Sequence, residues 1–101
     1  MTRVCPLEDL WQGEMRPVVA GDRKLLLVHV EGVVAAFRDR CPHLGMPISE
    51  GKLEGHTLTC RAHEWQYDAR TGQGLNPQNA ALERVPVEIR DGYVCIRERH
   101  G

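Results

Sequence analysis

Two cysteines and two histidines form matched pairs in the middle of the chain. The first pair is Cys41-x-His43 and the second is Cys60-x-x-His63, so each segment supplies one thiolate and one imidazole. Two sulfur and two nitrogen ligands suit zinc or an iron–sulfur centre. A zinc finger usually takes both cysteines from one turn and both histidines from another. The mixed pairing therefore favours two irons side by side, with both cysteines on one iron and both histidines on the other.

This is the ligand set of a Rieske [2Fe–2S] centre, and its charge explains what the histidines achieve. With two ferric ions, two sulfides and two thiolates, the oxidised centre is neutral, whereas a cluster with four thiolates already carries a double negative charge. Adding an electron to a neutral centre costs less, so Rieske potentials span about −150 to +300 mV against about −400 mV for plant-type ferredoxins. A structural zinc site and a degenerate site without metal are the alternatives.

Composition places these pairs in one small globular domain. The chain has 101 residues and a net charge of −1 from 13 basic and 14 acidic side chains, spread without blocks. Nothing in this balance indicates a nucleic-acid or membrane surface. The first residues lack an apolar signal core, so we expect a cytoplasmic protein. Four cysteines in such a chain indicate metal or redox chemistry before disulfides, and Cys5 and Cys95, in strand-like segments, are interpreted as buried inert thiols.

Turn pairs between β-rich segments predict a series of hairpins. The turns are Gly21-Asp22, Glu31-Gly32, Glu54-Gly55-His56 and Asp91-Gly92. The strands expected beside them cover residues 15–20, 24–30, 33–38, 57–59, 85–90 and 93–97, with a short strand around Leu53. Residues 6–10 are the one short helix expected. The pattern predicts an all-β protein, an antiparallel β-sandwich or small barrel, in which the middle hairpin brings the two Cys/His segments together as loops.

At these residues the chain resembles the Rieske ferredoxins, electron carriers of bacterial oxygenase systems. The resemblance runs from residues 4–10 to the last hairpin. Residues 60–65 (CRAHEW) and 71–77 (TGQGLNP) are similar to the ferredoxin components of toluene 4-monooxygenase-type diiron oxygenases. The resemblance implies a Rieske-type antiparallel β-sandwich, as one domain over residues 1–101, with a small cluster-binding lobe over about residues 39–78.

The same resemblance implies a carrier that catalyses nothing alone. An NADH-dependent flavin reductase would donate single electrons, and a terminal oxygenase would accept them, most simply a diiron aromatic or alkene monooxygenase of aromatic hydrocarbon catabolism. We expect a monomer that binds one [2Fe–2S] cluster. The alternatives are the ferredoxin of a ring-hydroxylating dioxygenase, the small Rieske-type subunit of a nitrite reductase and, from a different class, a structural module held by zinc.

Residues around the four ligands are candidates for shielding the cluster or docking a partner; they are Leu44, Gly45, Met46, Pro47, Glu64, Trp65, Tyr67 and Pro77. Trp65 is interpreted mainly as a packed aromatic, and Glu64 stands where related proteins commonly have glycine. Respiratory Rieske proteins carry an extra cysteine in each loop and a serine that bonds a sulfide, whereas the corresponding places here are Met46, Ala62 and Trp65. With fewer donors we expect a potential at the low end of the range. Tyr67 stands where respiratory proteins have a tyrosine that bonds a cysteine sulfur.

Overall fold

The computed structural model describes residues 2–41, 46–61 and 64–97. This part of the chain forms eleven strands, which are β1 (Thr2–Pro6), β2 (Glu14–Ala20), β3 (Arg23–Val30), β4 (Val33–Arg38), β5 (Lys52–Glu54), β6 (Thr57–Thr59), β7 (Gln66–Asp68), β8 (Gly74–Asn76), β9 (Arg84–Val85), β10 (Val87–Arg90) and β11 (Tyr93–Ile96). Two short 3₁₀ turns accompany them, at Leu7–Asp9 and Ile48–Glu50. No helix in these ranges is long and apolar enough to cross a bilayer.

The strands form three antiparallel sheets. The outer sheet has the order β1-β11-β10, the central sheet β2-β3-β4-β9, and the third, here called the β5–β8 sheet, keeps sequence order. Two apolar clusters separate these layers, one between the outer and central sheets and the other between the central and β5–β8 sheets. The central sheet is therefore covered on both faces.

Strand β3 shows why the central sheet lies in the middle. Leu25 and Leu27 belong to the cluster under the outer sheet, whereas Leu26 and Val28 belong to the cluster under the β5–β8 sheet. Successive side chains of a strand point to opposite faces, so a strand buried on both faces needs a continuous apolar run. Residues 25–28 (LLLV) supply that run.

All four predicted hairpins are present, joining β2 to β3, β3 to β4, β5 to β6 and β10 to β11. Two of them turn at a left-handed pair of residues, Glu31-Gly32 with φ of 52° and 78°, and Asp91-Gly92 with φ of 51° and 77°. Positive φ at both central residues is what a type I′ turn requires, and its twist matches that of the flanking strands. The strain at Glu31 and Asp91 thus has a local cause in the turn.

Two expectations need correction, and three elements were missed. The strand predicted over residues 85–90 is divided at Pro86, so that β9 pairs with β4 in the central sheet and β10 with β11 in the outer sheet. Proline lacks the N–H that a ladder needs, and the chain changes sheets there. The helix expected over residues 6–10 is only the 3₁₀ turn at Leu7–Asp9. The second 3₁₀ turn and the short strands β7 and β8 were not predicted.

Candidate metal centre

The two cysteines of the matched pairs enter one apolar cluster from different sheets. Cys41 follows β4 of the central sheet, and Cys60 follows β6 of the β5–β8 sheet. Both are fully buried, in the cluster that also contains Leu58 and Tyr67. The fold thus brings together two thiols that are 19 positions apart in the sequence. His43 and His63, with Leu44, Gly45 and Ala62, lie outside the described residues.

A matching backbone hydrogen bond spans each Cys/His segment. The N–H of Cys41 donates to the carbonyl of Met46 at 2.7 Å, and the N–H of Cys60 donates to the carbonyl of Trp65, also at 2.7 Å. We call residues 41–46 and 60–65 the first and second ligand loops. In both, the chain returns to its first residue after the same number of positions, which satisfies two buried donors and fixes where each loop ends.

Tyr67 lies against the first cysteine. Its side chain is fully buried, and its hydroxyl oxygen is 3.8 Å from the sulfur of Cys41. Burial, followed by the contact with Cys41, raises the pKa of Tyr67 above its ordinary value. The phenol therefore keeps its proton at neutral pH and can donate a hydrogen bond to a thiolate at this position.

We expect Tyr67→Phe to lower the reduction potential of the loaded protein. The lost O–H donor stabilises the extra negative charge of the reduced state, and a net hydrogen bond of about 1 kcal/mol corresponds to roughly 40 mV for a one-electron couple. Protein-film voltammetry measures the shift. Tyr93→Phe is the matched control, because Tyr93 belongs to the outer sheet and carries Arg3 over its ring at 4.8 Å. Equal potentials for both variants would contradict the role of Tyr67.

Four of the described candidates for shielding the cluster or docking a partner are half-buried. Trp65 packs against the apolar cluster, in agreement with its interpretation as a packed aromatic. Met46, Pro47 and Pro77 are each half-buried. Arg61 donates to Glu50 at 3.0 Å and so joins the second ligand loop to the 3₁₀ turn that follows the first. Both side chains of this pair are exposed, at 65% and 46%, so the pair adds little stability.

Glu64 adopts a left-handed conformation that no hairpin explains. Its φ is 53°, and its side chain is exposed. In an L-residue this conformation costs roughly 1–2 kcal/mol because Cβ approaches the backbone. The glycine that the resemblance leads us to expect at this position would avoid that cost.

We therefore expect Glu64→Gly to raise the free energy of unfolding by roughly 0.5 kcal/mol, the relief of strain less the added freedom of the unfolded chain. Glu54→Gly serves as the control, since Glu54 is an exposed residue of strand β5, where glycine costs about 0.5–1 kcal/mol. Urea unfolding of the two loaded variants measures both values. Destabilisation of equal size at both positions would show that Glu64 is not strained.

An ion-pair network ties the far end of the β5–β8 sheet to the central sheet. Arg70 donates to Asp68 at 3.0 Å and to Glu31, in the turn between β3 and β4, at 2.9 Å. The hydrogen bond from Arg70 holds the pKa of Asp68 below its ordinary value. Because the pKa of Asp68 is lower in the folded than in the unfolded state, its ion pair with Arg70 stabilises the fold at pH values above the unfolded-state pKa. This stabilisation is lost as the pH falls through the folded-state pKa.

Comparison with known proteins decides the family. The model of the Rieske [2Fe-2S] domain matches residues 1–86. The chain belongs to the Rieske [2Fe–2S] family. The ferredoxin component of the alkene monooxygenase system of Xanthobacter autotrophicus is 43% identical over 94 residues, which are 92% of this chain and 77% of the relative. The naphthalene 1,2-dioxygenase ferredoxin component of Pseudomonas putida is 32% identical over 91 residues, 89% of this chain and 88% of the relative.

Solved structures of this Rieske family show the same fold. The ferredoxin of Sphingomonas yanoikuyae B1 superposes with a TM-score of 0.85 at 27% identity, over 96% of this chain and 97% of that one. A chain in the complex of reduced oxygenase and oxidized ferredoxin of carbazole 1,9a-dioxygenase superposes with a TM-score of 0.83 at 29% identity, over 93% of this chain and 89% of that one. The predicted all-β Rieske fold, the [2Fe–2S] cofactor and the role of a ferredoxin rather than an enzyme are confirmed.

The donor set visible in the structure fits the cofactor of this family. A Rieske cluster takes two thiolates on one iron, and Cys41 and Cys60 lie buried in one cluster of apolar side chains. The other two cysteines belong to the strands β1 and β11 of the outer sheet and are also buried. The expected burial of these two thiols is confirmed, and their inertness stays a prediction.

Proposed function

We propose that this ferredoxin passes single electrons to a terminal oxygenase, with its cluster held by Cys41, His43, Cys60 and His63. The observation that carries the ligand assignment is the meeting of Cys41 and Cys60 in one buried cluster, each at the start of a loop closed by the same hydrogen bond. When bound, the cluster takes up and releases one electron. The chain itself excludes water from the thiolates, donates a hydrogen bond from the Tyr67 hydroxyl to the sulfur of Cys41 and fixes the ends of both loops.

The acceptor we propose is a monooxygenase. This is supported by the alkene monooxygenase ferredoxin component, whose identity of 43% exceeds the 32% of the naphthalene dioxygenase component. The second candidate, a ring-hydroxylating dioxygenase, is supported by the fold match to the carbazole 1,9a-dioxygenase complex. The family match favours both over the module held by zinc, and the similarity to ferredoxin components favours both over a nitrite reductase subunit.

The remaining parts of the proposal concern the surroundings of the carrier. An NADH-dependent flavin reductase would supply the electrons, and the cluster-binding lobe would cover about residues 39–78, an assignment supported by the β5–β8 sheet between Lys52 and Asn76. A cytoplasmic location is supported by the four cysteines, no two of which form a disulfide. Monomeric behaviour and a role in hydrocarbon oxidation belong to the same proposal.

A reconstituted assay tests the acceptor. NADH, a flavin reductase and this ferredoxin are mixed with an alkene monooxygenase hydroxylase or with a naphthalene dioxygenase oxygenase, and product is measured against ferredoxin concentration. We expect faster turnover of the monooxygenase, with Cys41→Ser ferredoxin as the inactive control. Faster turnover of the dioxygenase would transfer the proposal to the second candidate, and turnover of neither would contradict an oxygenase acceptor of these two kinds.

A further inference from the structure

The two ligand loops differ in how the chain holds their ends. The second loop is flanked by β6 and β7, which are neighbours in one sheet, and the residues on either side of it, Thr59 and Gln66, are register partners. Strand pairing therefore closes this loop. The first loop is preceded by β4 of the central sheet and followed by β5 of another sheet. No strand ladder joins β4 to β5 in the described residues, so the first loop needs another device.

Asp39, two residues before Cys41, makes the contact that holds the first loop. Its carboxylate accepts the backbone N–H of Ser49 at 2.8 Å and the hydroxyl proton of the same serine at 2.6 Å. The N–H of Asp39 donates to the carbonyl of Lys24 at 3.0 Å, which ties this residue to β3. The Asp39–Ser49 contact thus joins the segments on either side of the first ligand loop, in addition to the Cys41–Met46 hydrogen bond. The hydrogen bond from Asp39 to Lys24 attaches this contact to the central sheet.

The chemistry of this contact favours a strong joint. Ser49 lies in the first turn of the 3₁₀ segment Ile48–Glu50, whose preceding residue, Pro47, makes no side-chain cap. The N–H groups at such an end have no partner within the turn, and a carboxylate is a good acceptor for them. Both hydrogen bonds to Asp39 are charge-assisted and half-buried, which makes them stronger than neutral ones.

We propose that Asp39 and Ser49 form a clamp that positions the first ligand loop and slows the loss of the cluster. Asp39 is a positioning residue, since it acts through the loop rather than on the cofactor. The inference rests on the proposed assignment of Cys41 and His43 as ligands. The Asp39 carboxylate and Ser49 would hold the ends of the first loop together, as strand pairing does for the second loop.

The test is the rate of cluster release from the loaded protein in an excess of the iron chelator bathophenanthroline disulfonate, followed by the loss of visible absorption. Asp39→Ala removes both hydrogen bonds to Ser49. The loss of one charge-assisted bond, if fully expressed in the rate, accelerates release roughly tenfold, so we expect at least that factor for Asp39→Ala. We expect Ser49→Ala to accelerate it less, because the backbone bond remains. Asp39→Asn keeps an oxygen acceptor for that bond and restores a rate between those of Asp39→Ala and the parent protein.

Asp68→Ala is the matched control. Its carboxylate also accepts a backbone N–H, that of Arg70 at 2.8 Å, together with side-chain bonds, but it pairs with Thr57 at the end of the β5–β8 sheet away from Cys60. We expect Asp68→Ala to lower the melting temperature. Its rate of cluster release should stay within about twofold of the parent rate, well below the roughly tenfold acceleration expected from losing one charge-assisted bond. The EPR line of the reduced cluster should broaden in Asp39→Ala and remain unchanged in Asp68→Ala.

Two results would overturn the clamp. The first is cluster release in Asp39→Ala that is no faster than in Asp68→Ala. The second is a double variant, Asp39→Ala with Ser49→Ala, whose acceleration of release equals the product of the two single accelerations, because residues that act through one contact would not have independent effects. If Asp39→Ala does not fold, Ser49→Ala decides alone, and an unchanged rate rejects the proposal. Failure of the ligand assignment looks different, because the parent protein would then lack a nitrogen-ligated cluster before any variant is made.

Discussion

Cys41→Ala and Cys60→Ala proteins are expected to contain no iron–sulfur cluster and to lack its visible absorption. Each substitution removes one of two thiolates from one iron, and a single thiolate does not hold a cluster that the fold positions from two sheets. The effect is all or none. Iron and acid-labile sulfide analysis after anaerobic reconstitution measures it directly.

The outer sheet provides matched controls for this loss. Cys5 and Cys95 are nearly as buried as the proposed ligand cysteines, with exposed fractions of 6% and 3% against 0%. Their replacement by alanine leaves a small cavity that costs on the order of 1 kcal/mol, so both variants should keep full iron and sulfide content. A cluster retained in Cys60→Ala, or lost in Cys95→Ala, would contradict the ligand assignment.

The second large effect is expected from Gly51→Ala. Gly51 follows the 3₁₀ turn Ile48–Glu50, and a Cβ built on it would overlap the carbonyl oxygen of Thr59, the residue before Cys60. The atoms that a Cβ would meet belong to the backbone, which cannot move aside as a flexible side chain can. The carbonyl oxygen of Ile48 also lies 3.2 Å from the Cβ position. Relief requires the β5–β6 pair to move apart, and we expect a loss of at least about 3 kcal/mol in the free energy of unfolding.

Gly55→Ala separates this overlap from the general cost of losing a glycine. Gly55 lies in the turn between β5 and β6 with a φ of 59°, and nothing lies within 4 Å of a Cβ built there. Only the left-handed conformation is then penalised, by roughly 1–2 kcal/mol. Urea unfolding of the two loaded variants compares the costs. A smaller loss in Gly51→Ala than in Gly55→Ala would show that the approach of Gly51 to Thr59 is not required.

The hairpins were predictable because their signals are local. A pair such as Asp91-Gly92 between β-rich segments carries the positive φ values of its turn within two residues. Strands β7 and β8 have no such signal, since each has three residues and the sequences QYD and GLN alternate too briefly to show a period. They are strands because neighbours in the β5–β8 sheet pair with them, which is information that lies outside each segment.

The candidate site divides in the same way. The type and spacing of its four proposed ligands are explicit in the sequence, and the tyrosine that reaches Cys41 was expected from the resemblance to respiratory Rieske proteins. The equal closure of the two loops is not, because it depends on backbone carbonyls of Met46 and Trp65, whose side chains carry no signal for it. The Asp39–Ser49 contact joins residues ten positions apart, one just after β4 and the other in a 3₁₀ turn, and only the assembled fold brings them together.

The central claim is that Cys41 and Cys60 bind one iron of the cluster while His43 and His63 bind the other. Electron spin echo envelope modulation of the reduced protein tests this most directly, because it detects ¹⁴N nuclei coupled to the unpaired electron. We expect two strongly coupled nitrogens, one of which disappears in His43→Cys and the other in His63→Cys. A reduced cluster without strongly coupled nitrogen would contradict it.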